Sequence, residues 1–374
     1  MQILKPQAAT ELAAALMDCA STGRHIRVFG SSSKDRMGGP LTNADVGICT
    51  SAMKRLIQYE PRDLTISVEA GMPFTELSRL LAENRQMIPI DPPYFDSATV
   101  GGIVAASTSG PRRRLYGSVR DLIIGMTFAT LEGKLVNSGG MVVKNVAGLD
   151  MGKLMAGSFG TLAVLGVVNF KLLPIPEVSR TFIMRFATIH EAIRRRDEIL
   201  KGVLLPAALD LLNPAGAKRV GLEGYCLVFQ AGGNTAVMDR YVRELPGSEV
   251  LEGAAETSLW ESIREFTPRF LAEHAEGAVV RVSSTLMELK QVVSEFEVPI
   301  LARAANAISY ACFADASLAK GKTGKWIIES APVSRKASLD LWPAPGNDFD
   351  MMKKVKQMFD PQHLLNEGRL YGRI

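Results

Sequence analysis

The chain has 374 residues, of which 47% are hydrophobic and 22% charged, with a net charge of +4. That composition belongs to an ordinary globular protein long enough for two cores, and the mild, scattered positive charge excludes a nucleic-acid-binding role built on a basic stripe. Four cysteines, Cys19, Cys49, Cys226 and Cys312, lie far apart in sequence. Their spacing excludes a C-x-x-C motif, argues against an iron–sulfur cluster held by this chain alone, and predicts buried thiols in a reducing compartment.

Residues 7–23 have the helical spacing of leucine and alanine. A short strand at residues 25–29, "HIRVF", then runs straight into "GSSSKDRMGG". Three β-branched or alternating strands follow within residues 44–71, then a helix over 72–86 with Phe74, Leu77, Leu80 and Leu81 on one face. "MIPIDPP" reads as a strand ended by prolines, residues 121–136 as a hairpin around Glu132 and Gly133, and residues 160–174 as a long buried strand region. The prolines of "LLPIPE" mark a boundary near residue 175. Beyond it, strands and helices alternate, which predicts an α+β sandwich with one helical face. Arg194, Arg195 and Arg196 sit among acidic residues and predict a solvated helix face. A final helix stops at Asp360 and Pro361. The longest apolar run, residues 162–168, is far too short to cross a bilayer, and the N-terminus has no secretory apolar core. A cytoplasmic location is expected, or one peripheral to a larger complex.

Three stretches share a composition of glycine and small hydroxyl residues. The first is Gly30, Ser31, Ser32, Ser33; the second is residues 99–110, "TVGGIVAASTSG"; the third is residues 157–160, "GSFG". Small residues let a ligand approach the main chain, and glycine lets successive N–H groups turn to one side, which makes an anion site. Any one of these loops alone reads as a tight turn; three in one half of the chain point to a large phosphate-bearing ligand. Neither the dinucleotide fingerprint after a first strand nor a Walker loop is present.

The order of these segments carries a resemblance. "TVGGIVAASTSG", "RRRLYGSVRDLIIGM", "VVKNVAGLDMGKLMAGSFGTLAVL" and the closing "FDPQHLLNEGR" resemble FAD-binding flavoproteins of the vanillyl-alcohol-oxidase (PCMH) type. Within that group the chain is most similar to the FAD-binding subunits of glycolate oxidases. The resemblance implies an α+β fold: a two-subdomain FAD-binding domain over residues 1–175, a smaller α+β sandwich of the FAD-linked-oxidase C-terminal type over 176–340, and a helix and tail over 341–374 returning to the FAD domain. It implies that Gly30, Ser31, Ser32 and Ser33 form one pyrophosphate loop, and that Thr99, Gly101, Gly102, Ser107, Ser109 and Gly110 line the other, with Arg112, Arg113 and Arg114 as a positive rim. Gly117 falls on the adenine side, Gly160 and Val164 run along the flavin and ribityl chain, and Lys144 lies near the isoalloxazine ring. Asn366 either meets the flavin or closes a helix-end turn.

With no histidine or cysteine in the first two loops, the FAD is expected to be non-covalent. His25, His190, His274 and His363 are isolated, so no metal site is expected and no residue for activating a hydroxyl is evident. Arg281, on an apolar strand, either binds a substrate carboxylate or faces water as an edge charge. The expected function is oxidation of glycolate, a small 2-hydroxy acid, together with a second flavoprotein subunit and an iron–sulfur subunit, through which the chain would reach the inner membrane. The alternatives are a stand-alone FAD oxidase or dehydrogenase of another alcohol or sugar, and a structural subunit with a degenerate FAD site.

Overall fold

A computed structural model of the protein describes residues 1–41, 44–143, 148–319, 325–372 and 374. Lys144 lies outside the described residues. The chain divides into two units, one formed by Met1–Thr108, Ser118–Ile175 and Ala344–Ile374, the other by Ser109–Gly117 and Pro176–Pro343.

The first unit begins with β1 (Gln2–Leu4), α1 (Ala9–Ser21), β2 (Ile26–Phe29) and β3 (Val46–Cys49). The strands form a parallel sheet in the order β1-β3-β2. Helix α1 buries Leu12, Leu16 and Cys19, one face of a 3.6-residue period, in a cluster with Ile26, Val46 and Ile48. A second sheet joins β4 (Leu56–Glu60), β5 (Thr65–Glu69), β7 (Ile123–Ala129), β8 (Leu135–Gly139) and β9 (Val164–Lys171) in the order β4-β5-β9-β7-β8, all antiparallel. Helices α2 (Phe74–Glu83) and α3 (Val100–Ala106) bury Phe74, Leu77, Val100, Ile103 and Val104 in its core. The expected strand "MIPIDPP" shrinks to β6 (Gln86–Met87), paired with β10 (Leu173–Pro174). Pro89, Pro92 and Pro93 have no N–H to continue a ladder.

The second unit holds one antiparallel sheet of eight strands: β11 (Val178–Phe186), β12 (Ala208–Leu212), β13 (Tyr225–Gly233), β14 (Glu249–Leu251), β15 (Ala278–Ser283), β16 (Ile300–Arg303), β17 (Ile308–Phe313) and β18 (Lys325–Ser330), in the order β14-β11-β13-β12-β16-β17-β15-β18. The expectation of a single helical face is corrected here. Helices Ile189–Lys201, Thr235–Glu244 and Leu289–Ser294 pack on the face of Phe182, Leu211 and Val280. Helices Pro214–Arg219, Gly253–Arg264 and Phe266–Glu273 pack on the face of Ile183, Leu212 and Val279. Neighbouring apolar residues along each strand require cover on both sides. A second correction concerns Arg196, which is 1% exposed and donates to Asp197 and to the Leu286 carbonyl rather than facing solvent. All four cysteines are buried and free.

Candidate functional site

The first glycine–serine stretch follows directly from β2. Ser32 has a φ of 59°, a left-handed conformation uncommon for a residue with a side chain. Among the described residues, the main-chain N–H groups of Ser31, Ser32 and Ser33 donate to no protein acceptor. A left-handed residue between two neighbours of negative φ turns successive N–H groups toward one side, which is the geometry of an anion-binding nest. The loop is braced from behind. Arg27 Nη2 donates to Ser32 Oγ at 3.1 Å and to Asp35 Oδ2 at 2.5 Å, and the Asp35 N–H donates to the Ser32 carbonyl at 3.2 Å.

The second stretch differs from its reading as an accessible loop. Thr99 caps α3, its Oγ1 accepting from the Gly102 N–H at 3.3 Å. The Val100 N–H donates to the Met72 carbonyl at 2.9 Å and that of Gly101 to Ala70 at 2.6 Å. These amides are spent within the protein, so the contribution of α3 to a ligand site is closeness rather than donors. A Cβ on Gly101 would stand 2.9 Å from both the Cβ and the carbonyl oxygen of Ala70, so this glycine lets α3 pack on the chain after β5. A Cβ on Gly30 would stand 2.3 Å from Thr99 Oγ1, which brings the first loop against the helix cap. A Cβ on Gly102 would meet only Thr99 Oγ1, at 3.1 Å. Its bare face is open.

The third stretch is tied to α3 by the Gly157 N–H to Val104 and the Phe159 N–H to Ala105, at 3.0 and 2.8 Å. Phe159 and Gly160 both have positive φ, and a Cβ on Gly160 would stand 2.9 Å from Asn366 Nδ2. Asn366 is buried and joins three segments. Its Oδ1 accepts from the Val28 N–H at 2.8 Å, and its Nδ2 donates to the Phe159 carbonyl at 2.7 Å. The tail carrying it is fixed by a buried pair. Lys356 Nζ lies 2.5 Å from Asp360 Oδ2 and donates to the carbonyls of Thr161 at 2.8 Å and Leu365 at 3.1 Å. Burial lowers the pKa of Lys356 despite the opposing charge of Asp360.

These segments enclose two adjoining clefts, of about 530 Å³ and 440 Å³. They share Val28, Phe29, Gly30, Gly102, Ala105, Phe159 and Asn366, and so form one groove. One end is polar, with Ser31, Ser32, Ser33, Lys34 and Arg369. The other is lined by Ala70, Ala163, Val164 and Leu165. An anionic group suits the first end and a flat apolar ring the second.

The groove brings together Gly30, Ser31, Ser32, Ser33, Thr99, Gly101, Gly102, Gly160, Val164 and Asn366. Ser107 caps the C-terminal end of α3 with a φ of 50° and lines neither cleft. Ser109, Gly110 and Gly117 belong to the second unit, as do Arg112, Arg113, Arg114 and Arg281. Arg281 Nε lies 3.0 Å from Glu329 Oε1, and its Nη1 donates to Ser283 at 3.2 Å. Arg27 and Arg369 escaped the sequence reading, although Arg369 follows Asn366 by three residues in the motif "LNEGR".

A model of the FAD binding domain family matches residues 2–139, which contain the first two stretches in full. Over 368 residues the chain is 30% identical to the glycolate oxidase subunit GlcE of Escherichia coli (strain K12), covering 93% of each chain. It is 26% identical over 211 residues to the glycolate oxidase subunit GlcD of Bacillus subtilis (strain 168), and 24% identical over 313 residues to a mitochondrial cytochrome-type D-lactate dehydrogenase of Arabidopsis thaliana. It covers 45% and 54% of these two relatives, about half their length. Among solved structures it resembles alkyldihydroxyacetonephosphate synthase in fold, with a TM-score of 0.70 at 15% identity, over 97% of this chain and 75% of that one. The groove fits FAD: the unpartnered amides at Ser31, Ser32 and Ser33 suit its diphosphate, and the apolar end suits its ring. The cofactor is FAD, and the chain belongs to the family of FAD-binding oxidoreductases that includes the glycolate oxidase subunit GlcE.

Proposed function

We propose that the chain is the FAD-binding subunit of a glycolate oxidase complex, which oxidises glycolate to glyoxylate in company with a second flavoprotein subunit and an iron–sulfur subunit. The observation that carries this reading is similarity to a glycolate oxidase subunit over 93% of both chains. When bound, FAD supplies a two-electron acceptor for hydride from the substrate carbon. Ser31, Ser32 and Ser33 would hold its diphosphate by main-chain N–H groups, Gly102 would give it room, and Val164 and Leu165 would keep water from its ring.

The histidines support a relay role for this chain. His25 Nδ1 lies 3.5 Å from Glu367, His190 contacts Lys290, and His274 packs on Phe270. None of the four lines the groove. In this reading the sister flavoprotein supplies the hydroxyl base and this chain passes electrons onward.

Should substrate bind this chain, its carboxylate falls to Arg281. A polar row crosses β12, β16, β17, β15 and β18: Asp210 is opposite Arg303, the Arg303 guanidinium stands 5.8 Å from the centre of the Tyr310 ring, Tyr310 is opposite Arg281, and Arg281 pairs with Glu329. Arg303 is ion-paired with Asp210. Burial raises the Glu329 pKa against the pull of Arg281 and Arg303, which weakens the negative charge facing Arg281. The test is to assay the purified, FAD-loaded chain and the complex co-purified from cells, with glycolate and a dye acceptor. The chain alone is expected to be inactive and the complex active. Turnover by the chain alone contradicts the relay role, and a complex inert to glycolate contradicts the substrate.

A further inference from the structure

Arg369 is a buried cation at the polar end of the groove, as exposed as Lys34 and no more. It is 8% exposed. Its Nη2 donates to the Lys34 carbonyl at 3.2 Å, and its Nη1 to the carbonyls of Asp35 and Gly39, both at 3.4 Å. The Gly39 N–H donates back to the Arg369 carbonyl at 2.9 Å. The guanidinium stands 5.5 Å from the centre of the Phe159 ring. Every polar partner is thus a neutral carbonyl, and among the described residues Arg369 makes no ion pair. Asp35, the acidic group whose charge acts on Arg369, is paired with Arg27. Burial lowers the Arg369 pKa to about 10, against the pull of Asp35 and with the repulsion of Arg27.

A buried charge without a counter-charge is costly, and a guanidinium hidden from water is stabilised by an anion placed beside it. The other cations differ. Arg27 is neutralised by Asp35, and Lys34 lies on the loop itself, its ammonium 3.4 Å from Ser33 Oγ and 5.9 Å from the centre of the Tyr94 ring. Arg369 is on the C-terminal tail. That tail is held by Asn366 and by the buried Lys356–Asp360 pair, so its charge reaches the groove only when the tail is docked.

We propose that Arg369 is the buried counter-charge for the FAD diphosphate, and that FAD binding and docking of the C-terminal tail reinforce each other. The coupling is reciprocal: whatever docking adds to FAD affinity, FAD adds to docking. Loss of the charge weakens FAD binding more than it weakens the empty protein, where the carbonyl bonds lost are offset by removal of an uncompensated buried cation. This inference rests on the reading of the groove as the FAD site.

The test is fluorescence titration of apoprotein with FAD, beside thermal unfolding with and without FAD, for wild type, Arg369→Gln, Arg369→Lys and Gly102→Asp. Arg369→Gln is expected to raise the FAD Kd by roughly tenfold or more, to keep the melting temperature of the empty protein, and to lose most of the FAD-induced rise. Arg369→Lys, which keeps charge and loses the fork, is expected to fall between the two. Amide exchange of wild type is expected to slow across residues 360–369 when FAD is added. A wild-type Kd in Arg369→Gln, with Gly102→Asp impaired, overturns the role of Arg369 alone; wild-type binding in Gly102→Asp overturns the groove. If Arg369→Gln does not fold, Arg369→Lys and wild-type exchange decide. A wild-type Kd in the lysine variant together with unchanged tail exchange overturns the proposal.

Discussion

Asn366 Nδ2 donates to the Phe159 carbonyl at 2.7 Å, across most of the length of the chain, while Asn366 Oδ1 accepts from the Val28 N–H at 2.8 Å. One side-chain amide therefore fixes the spacing between the end of β2, the third small-residue turn and the C-terminal tail. All three segments line the groove, so its width depends on this residue. The amide is used by the protein itself, which makes Asn366 a clamp on the site.

Asn366→Asp keeps shape and tolerance of the left-handed conformation, since Asn366 has a φ of 42°. It sets a carboxylate oxygen against the Phe159 carbonyl in place of a donor. The expected cost is about 1–3 kcal/mol of stability, with weaker FAD retention. Thermal unfolding and FAD titration check it; a wild-type midpoint means the clamp contributes nothing.

Ser32 is the second test. A β-branched residue at its φ of 59° is strained by about 1–3 kcal/mol, and the loop is expected to leave the nest geometry. Ser32→Val should lose FAD affinity while the fold survives, because the loop is half-buried. Ser32→Gly accepts the same φ and is expected to stay within a few-fold of wild type. Equal affinities for the valine and glycine variants would separate FAD binding from this loop.

Much of this arrangement was legible in the sequence. The strands at 26–29, 56–60 and 65–69 announce themselves by β-branched or alternating runs, and the 123–139 hairpin by Gly133, whose φ is 74°. The small-residue stretches mark where backbone and ligand come close, and Gly30 and Gly102 behave accordingly. Reading residues 99–110 as open loop failed because glycine hides a short apolar period: Val100, Ile103 and Val104 are buried at i, i+3 and i+4 and make a helix. The braces at Arg27 and Arg369 were not legible. Their partners are main-chain carbonyls or residues that only folding brings near, and no local pattern reports such contacts. The same holds for Arg196, whose carbonyl partner at Leu286 lies 90 residues away.

In the second unit, burial raises the Glu329 pKa above its ordinary value of 4.5. The folded state then holds a proton that the unfolded state releases, so the contribution of Glu329 to stability is fully present below about pH 4.5 and is lost as pH rises through the folded pKa. Arg281, Arg303 and Tyr310 are the neighbours that set this balance. Glu329→Gln should gain stability relative to wild type as pH rises. Urea unfolding of both proteins across this range checks it, and a difference independent of pH would contradict the assignment.

The linkage to FAD is expected to be non-covalent. Among the described residues, no histidine, cysteine or tyrosine lines either cleft. Acid precipitation of the loaded protein should leave intact FAD in the supernatant; yellow colour that stays with the pellet would contradict this.

FAD is assigned to the groove between the first loop and α3. The most direct test of that placement is FAD titration of Gly102→Asp, with circular dichroism as a check on the fold. Position 102 is the third residue of α3, where an aspartate favours the helix, and the new Cβ would meet only Thr99 Oγ1 at 3.1 Å. The protein should therefore fold. The new carboxylate would face the diphosphate in a partly dry groove, where like charges cost on the order of several kcal/mol, so FAD affinity is expected to fall by roughly a hundredfold or more. Wild-type FAD affinity in a natively folded Gly102→Asp protein would place the cofactor elsewhere.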